Sequence, residues 1–243
     1  MKPVYDDELF FKKYSEMDRS RHGLAGAGEW PALKKMLPDF GGRRVLDLGC
    51  GYGWHCAYAA ERGAASVVGV DISEKMLAMA RDKTSFFNVE YLNMPIEDIS
   101  FEADSFDIVL SSLALHYVRS FEDVCRKVRS CLAPGGHFVF SVEHPVFTAY
   151  GTQDWLYADD GRILCWPVDR YFAEGQREAK FLGMRVQKYH KTLTTYLNGL
   201  LQNGFAITEV VEPRPTGEML RQQPEMEDEL RRPMMLLVSA KKR

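Results

Sequence analysis

Val45-Leu46-Asp47-Leu48-Gly49-Cys50-Gly51-Tyr52-Gly53 is the stretch on which the reading of this chain turns. Val45, Leu46 and Leu48 make a short apolar run that reads as a buried strand, and the run breaks directly into glycines. Glycine there permits positive φ and lets a ligand approach the main chain closely. A helix follows over His55 to Arg62 and closes on Gly63 as a C-cap. Strand, glycine turn and helix are the parts of a nucleotide site at the carboxyl end of a parallel strand. Val67-Val68-Gly69-Val70-Asp71 reads as a second strand ending on an acid, and Asp71 lies 20 residues past Gly51. An acid at that separation is placed to hydrogen-bond both hydroxyls of a ribose.

Glycine spacing narrows the nucleotide. In the dinucleotide pattern G-x-G-x-x-G the third glycine lets helix pack on strand. Counted from Gly49 that position is Trp54, and the third glycine of this chain, Gly53, comes one residue early. Asp47 would also repel a pyrophosphate, so a nicotinamide dinucleotide is disfavoured. The string resembles motif I of the class I S-adenosylmethionine-dependent methyltransferases, whose cofactor carries a sulfonium, an ammonium and a carboxylate but no phosphate. Val70 to Ser73 is similar to that family's ribose-binding strand end, and Ser105 to His116 to its fourth strand and the loop beneath the methionine moiety. Leu132 to Phe138 is similar to the turn into its fifth strand. Together these cover residues 40 to 145 in order.

The resemblance implies S-adenosylmethionine as cofactor and assigns residues to it. Gly49, Cys50 and Gly51 lie against it, Asp71 and Ile72 take the ribose, and Asp47 orients the amino-acid end through the loop. Met76, Ile96 and Glu97 surround the adenine, and Ser111 ends the fourth strand beneath the methionine moiety. Where the family has an acid for adenine, Pro95 stands here, leaving Glu97, Asp98 or a water for the amino group. Each assignment has a structural competitor: a plain turn for Gly49 and Gly51, a helix cap for Asp47, core packing for Met76.

At 243 residues, with 46% hydrophobic and 27% charged side chains, the chain suits one substantial α/β core. A net charge of −3 offers no general attraction to nucleic acid, so no nucleic-acid partner is expected. Five cysteines form no C-x-x-C pair, and an odd count argues against a full disulfide set. No leader opens the chain, no run has membrane-spanning length, and no metal site stands out. The expectation is a cytoplasmic protein without membrane contact.

Alternating strands and helices at 44–48, 54–62, 66–70, 73–82, 88–92, 106–111, 120–131 and 137–142 predict a parallel sheet with helices on both faces. Ser73 and Ser120 read as N-caps. A helix over 192–202 and strands at 206–211 and 234–240 complete the pattern. The resemblance implies a Rossmann-like, mostly parallel seven-stranded sheet with an antiparallel last strand. The domain reading is a helical lid over 1–40, with an amphipathic helix at 5–17 and a flexible glycine joint at 23–28. Then come a cofactor-binding core over 41–145, a cap over 146–190, and a closing part over 191–243.

Methyl transfer asks mainly that the nucleophile be held in line and close, with water excluded; a base is needed only when the acceptor must lose a proton. The ends of the fourth and fifth strands carry His116, Glu143 and His144, and a histidine is the natural base near neutrality. His22, His55, His137 and His190 read as bland. Between 146 and 190 lie nine aromatic residues, a fifth of that segment against 12% of the chain. They suit a folded cap lining a pocket for a small-molecule methyl acceptor. Anchoring the cap or forming a homodimer surface is the competing reading. Two other functions stay in view: a nucleic-acid methyltransferase, which should show a basic stripe and an Asn/Asp-Pro-Pro-aromatic signature where Ser111-Ser112-Leu113-Ala114 stands, and a non-catalytic cofactor-binding regulator.

Overall fold

The computed structural model describes residues 3–243. Short helices open the chain: α1 (Glu8–Ser15), α2 (Asp18–Arg21) and α3 (Trp30–Met36). The core follows as β1 (Arg44–Leu48), α4 (Trp54–Glu61), β2 (Ser66–Asp71), α5 (Glu74–Lys83), β3 (Val89–Asn93), β4 (Phe106–Ser112), α6 (Phe121–Cys131) and β5 (Leu132–Glu143). Next come α7 (Pro145–Thr148), the small strands β6 (Leu156–Tyr157) and β7 (Ile163–Cys165), and the hairpin β8 (Gly175–Phe181) and β9 (Met184–His190). α8 (Leu193–Gln202), β10 (Phe205–Val211), α9 (Gly217–Gln222) and β11 (Met235–Lys242) close the chain.

Seven strands make one sheet in the order β10-β11-β5-β4-β1-β2-β3. β11 runs antiparallel to both β5 and β10, and the pairs from β5 to β3 are all parallel. Alternation along the strands sorts side chains to two faces. Leu46, Val109, Phe138 and Phe140 pack under α6 and α8, whereas Val45, Ile108, Val139 and Leu237 pack under α3 and α4. α6 shows why a helix forms there. Ser120 caps it by accepting the Asp123 N–H (3.2 Å), and Phe121, Val124, Cys125 and Val128 place one apolar stripe against the sheet. Phe121, Phe140 and Tyr196 interlock at ring separations of 4.9–6.3 Å.

Some boundaries differ from the sequence reading. β5 begins at Leu132, five residues early, because Ala133 to Gly136 bulges within the strand instead of turning into it. The expected flexible joint contains a 3-10 turn, Gly23–Gly26, with Gly23 buried beside Trp54. The N-terminal helix is a 3-10 turn at Val4–Asp6 followed by α1, which Asp7 caps through the Phe10 N–H (3.0 Å). His190 ends a strand. Among the described residues no helix is long and apolar enough to cross a membrane.

Phe140 is fully buried at the centre of the aromatic cluster. Phe140→Ala should lower unfolding free energy by about 3–5 kcal/mol, read from denaturant titration. A loss below about 1 kcal/mol would show that the cluster contributes little.

Candidate active site

The carboxyl ends of β1, β2, β4 and β5 open into one cavity of about 1200 Å³. The loop after β1 forms its floor. The Gly49 and Cys50 N–H groups both donate to the Val70 carbonyl (2.8 and 3.0 Å), pinning the loop to the end of β2. Gly49 has φ +73° and lies so close to Ala114 that a Cβ would collide with it. Gly51, at φ +54°, would meet only the flexible tip of Met76. The first glycine thus serves loop packing, and the second leaves the cavity side of the loop open.

Asp71 ties these parts together. Its Oδ2 accepts the Gly51 N–H and its Oδ1 accepts the Ser73 N–H, both at 2.9 Å. Each carboxylate oxygen keeps a second lone pair, and the side chain lines the cavity. Cys50, Ile72, Met76, Ile96 and Glu97 line it too. This donor and acceptor set fits a ribose with a flat base beside it.

Two residues expected at the cofactor lie behind the wall. Asp47 is only 1% exposed and does not line the cavity. Its Oδ2 accepts the Cys56 thiol (3.3 Å), and its Oδ1 has no partner among the described residues. Burial drives its pKa from 3.8 to about 7. A cationic group across the loop would relieve that cost, which suits the ammonium of the cofactor. Ser111 is also buried and donates to the Leu48 carbonyl (2.8 Å), so it fastens β4 to β1, and its neighbour Ser112 lines the cavity.

The proposed catalytic trio separates. His144 is not on the cavity wall. Pro145 starts α7, which makes His144 its N-cap, and Nδ1 accepts the Val146 N–H (3.0 Å). Nε2 then carries the proton and faces Glu212 Oε1 at 2.8 Å. His144 therefore points away from the crevice. His116 and Glu143 do line the cavity. His116 Nδ1 accepts the Glu143 N–H through a long contact (3.4 Å), which leaves Nε2 protonated. Burial drives its pKa down to about 3, so the imidazole stays neutral, with its Nε2–H left to donate.

Glu143 belongs to a closed network that the sequence did not reveal. Lys188 Nζ donates to Glu143 Oε1 (2.6 Å) and to Gln153 Oε1 (2.9 Å), while Gln153 Nε2 donates to Glu143 Oε2 (2.7 Å). Burial pushes the Glu143 carboxyl up, while neighbouring His116, the Lys188 charge and these hydrogen bonds pull it down. His55, read as bland, lines the cavity as well, its pKa pushed by burial down to about 4.

Two segments cover the cavity. Tyr5 Oη meets Tyr117 Oη at 3.1 Å, and Asp6 Oδ1 accepts the Ser73 hydroxyl (2.6 Å) and the Lys75 N–H (3.2 Å). From the same side Lys13 Nζ reaches the Leu182 carbonyl at the tip of the β8–β9 hairpin (3.0 Å). In the cap, Trp166 and Phe147 stack at 4.8 Å, and Arg232, paired with Glu229 (2.6 Å), lies against both, 4.3 and 4.6 Å from their ring centres. Trp155 and Trp166 are thus spent on anchoring the cap.

Residues 46–140 match the methyltransferase-domain family. A structure from Mesorhizobium loti of an S-adenosylmethionine-dependent methyltransferase superposes with a TM-score of 0.84 at 48% identity, over 90% of this chain and 100% of that one. A Listeria monocytogenes protein assigned to the same enzymes gives 0.87 at 59% identity, over 91% and 99%. An uncharacterised protein of Haemophilus influenzae is 33% identical, over 98% of this chain and 96% of that protein. The chain belongs to the class I S-adenosylmethionine-dependent methyltransferases. It is an enzyme of that family, and its cofactor is S-adenosylmethionine.

Relatives matching the core alone include a tRNA U34 carboxymethyltransferase of Methylococcus capsulatus, 36% identical over 46% of this chain and 35% of that protein. A ubiquinone biosynthesis O-methyltransferase of Bordetella avium is 37% identical over 46% and 47%. The chain thus spans under half of either. The tRNA enzymes among its relatives overturn the expectation drawn from net charge that nucleic acid is excluded. Net charge of the whole chain is blind to a local strand-binding surface.

In the unfolded chain Asp47 ionises near 3.8, and in the folded protein near 7. Between those values the folded state holds the extra proton, so this group costs stability as pH rises through the window. Asp47→Asn should therefore raise the unfolding free energy of the cofactor-free protein at pH 8, by at most about 4 kcal/mol, with the gain closing toward pH 4. A gain independent of pH would show that the carboxyl ionises normally.

Proposed function

We propose that the enzyme transfers the methyl group of S-adenosylmethionine to a small-molecule acceptor enclosed beside it. The observation that carries this is the size and continuity of the cavity. At about 1200 Å³ it exceeds the roughly 300–1,000 Å³ of a pocket for one drug-sized ligand. One wall is the loop around Gly51 and Asp71; the opposite wall is Tyr117, Glu143, Phe181 and Lys188.

In this reading Asp71 grips the ribose hydroxyls and the Gly49–Gly51 loop supports the nucleoside. Ile72, Met76, Ile96 and Glu97 bound the adenine. Arg19, held by Glu29 at 2.6 Å and on the cavity wall, takes the amino-acid carboxylate, while Asp47 favours the ammonium from behind. The bound cofactor supplies an electrophilic methyl group with a good leaving group. The protein supplies alignment, the exclusion of water under lid and cap, and a hydrogen bond from His116 Nε2. No histidine abstracts a proton. The lid (1–40, of which 3–40 are described) and the cap (146–190) close over the core (41–145), with 191–243 completing the sheet. We place the enzyme in the cytoplasm, which suits its five free cysteines.

The test is turnover with methyl-labelled cofactor against a panel of small metabolites and, in parallel, bulk tRNA. Label should pass to at least one small molecule. Transfer to tRNA with none to the panel would assign the acceptor to nucleic acid.

A further inference from the structure

Lys188 is only 3% exposed, yet it lies on the cavity wall. An ammonium has three donors, and two are used on Glu143 and Gln153. The third takes no acceptor among the described residues. The ammonium stands over the Phe181 and Tyr117 rings, 5.5 and 5.9 Å from their centres. Glu143 is already occupied on both oxygens, by Lys188 and by Gln153. Lys180 and Arg185 add positive charge to the same wall. Arg185 is largely neutralised by Glu178 at 3.3 Å on the solvent side. The hairpin half of the cavity thus offers a free cationic donor and an apolar ring surface, and its carboxylate, Glu143, is already charge-paired with Lys188. An amine, arriving as its ammonium, would meet the like charge of Lys188, with the charge of Glu143 already offset by that lysine. An anion would complete the hydrogen bonding of Lys188.

We propose that the methyl acceptor is a small organic acid, bound as its anion with the acid group received by Lys188 and its carbon skeleton against Phe181 and Tyr117. This rests on the reading of the cavity as a joint pocket for cofactor and acceptor. Lys188 is then the residue that selects acceptor charge, and Glu143 and Gln153 are positioning residues that hold its ammonium at the wall.

Calorimetric titration of the full chain, saturated with S-adenosylhomocysteine, tests this with three probes of one shape: phenylacetate, phenylacetamide and phenethylamine. Phenylacetate should bind about tenfold or more tighter than the other two, the share of one charge-assisted hydrogen bond. Lys188→Gln removes that preference while S-adenosylhomocysteine affinity stays at the wild-type value. Should the single variant misfold, Lys188→Gln combined with Glu143→Gln leaves a neutral, hydrogen-bonding pair and serves the same purpose. The proposal is overturned if the amide or the amine binds as tightly as phenylacetate, or if the preference survives in the variant. It is equally overturned if none of the three binds to protein that does bind S-adenosylhomocysteine. Failure of S-adenosylhomocysteine itself to bind would strike the cofactor reading first, and the proposal with it.

Discussion

One carboxylate organises the functional end of this protein. Asp71 accepts one N–H from the glycine loop after β1 and another from the start of α5, each at 2.9 Å. The loops after β1 and β2 are thereby locked to each other through the end of β2. The Val70 carbonyl, receiving two N–H groups of the same loop, adds a second tie. Burial works against the charge, raising the Asp71 pKa, while the backbone donors lower it. A sheet edge with its loops fixed this way presents a preformed site, so binding need not order the loop first.

The rest of the cavity is built by segments distant in sequence. The Tyr5–Tyr117 contact joins residues 112 apart, and Lys188–Glu143 joins residues 45 apart. Asp6 links the cover to the nucleotide end, since the Ser73 hydroxyl it receives belongs to the residue whose N–H Asp71 accepts. The N-terminal segment and Asp71 therefore meet on one serine. Ser73 also caps α5, accepting the Met76 N–H at 3.2 Å, so the geometry of lid, loop and helix is set at a single point.

The core was legible in the sequence because its signals are local. Short apolar runs marked the strands, Ser73 and Ser120 marked helix starts, and the interval from Gly51 to Asp71 singled out two residues that a hydrogen bond joins. What was not legible depends on where side chains turn in three dimensions. His144 follows the fifth strand directly, but Pro145 begins a helix and folds the imidazole back as its cap. Asp47 and Ser111 lie at strand ends beside the site, yet strand alternation points them behind its wall. Lys188 and Gln153 carry no motif. A lysine in a hairpin is ordinarily solvated, and its burial here rests on the Glu143 ion pair and the Gln153 hydrogen bond. The aromatic enrichment did mark a cap, although Trp155 and Trp166 serve Arg232 and not a ligand.

The central claim is that Asp71 both fixes the loop and holds the ribose. Calorimetric titration of S-adenosylhomocysteine into the wild type and Asp71→Ala addresses it directly. A charge-assisted contact is worth roughly 1.5–3 kcal/mol, so the variant should bind about tenfold or more weakly while remaining folded. An unchanged dissociation constant in a folded Asp71→Ala protein would contradict the account and place the ribose elsewhere.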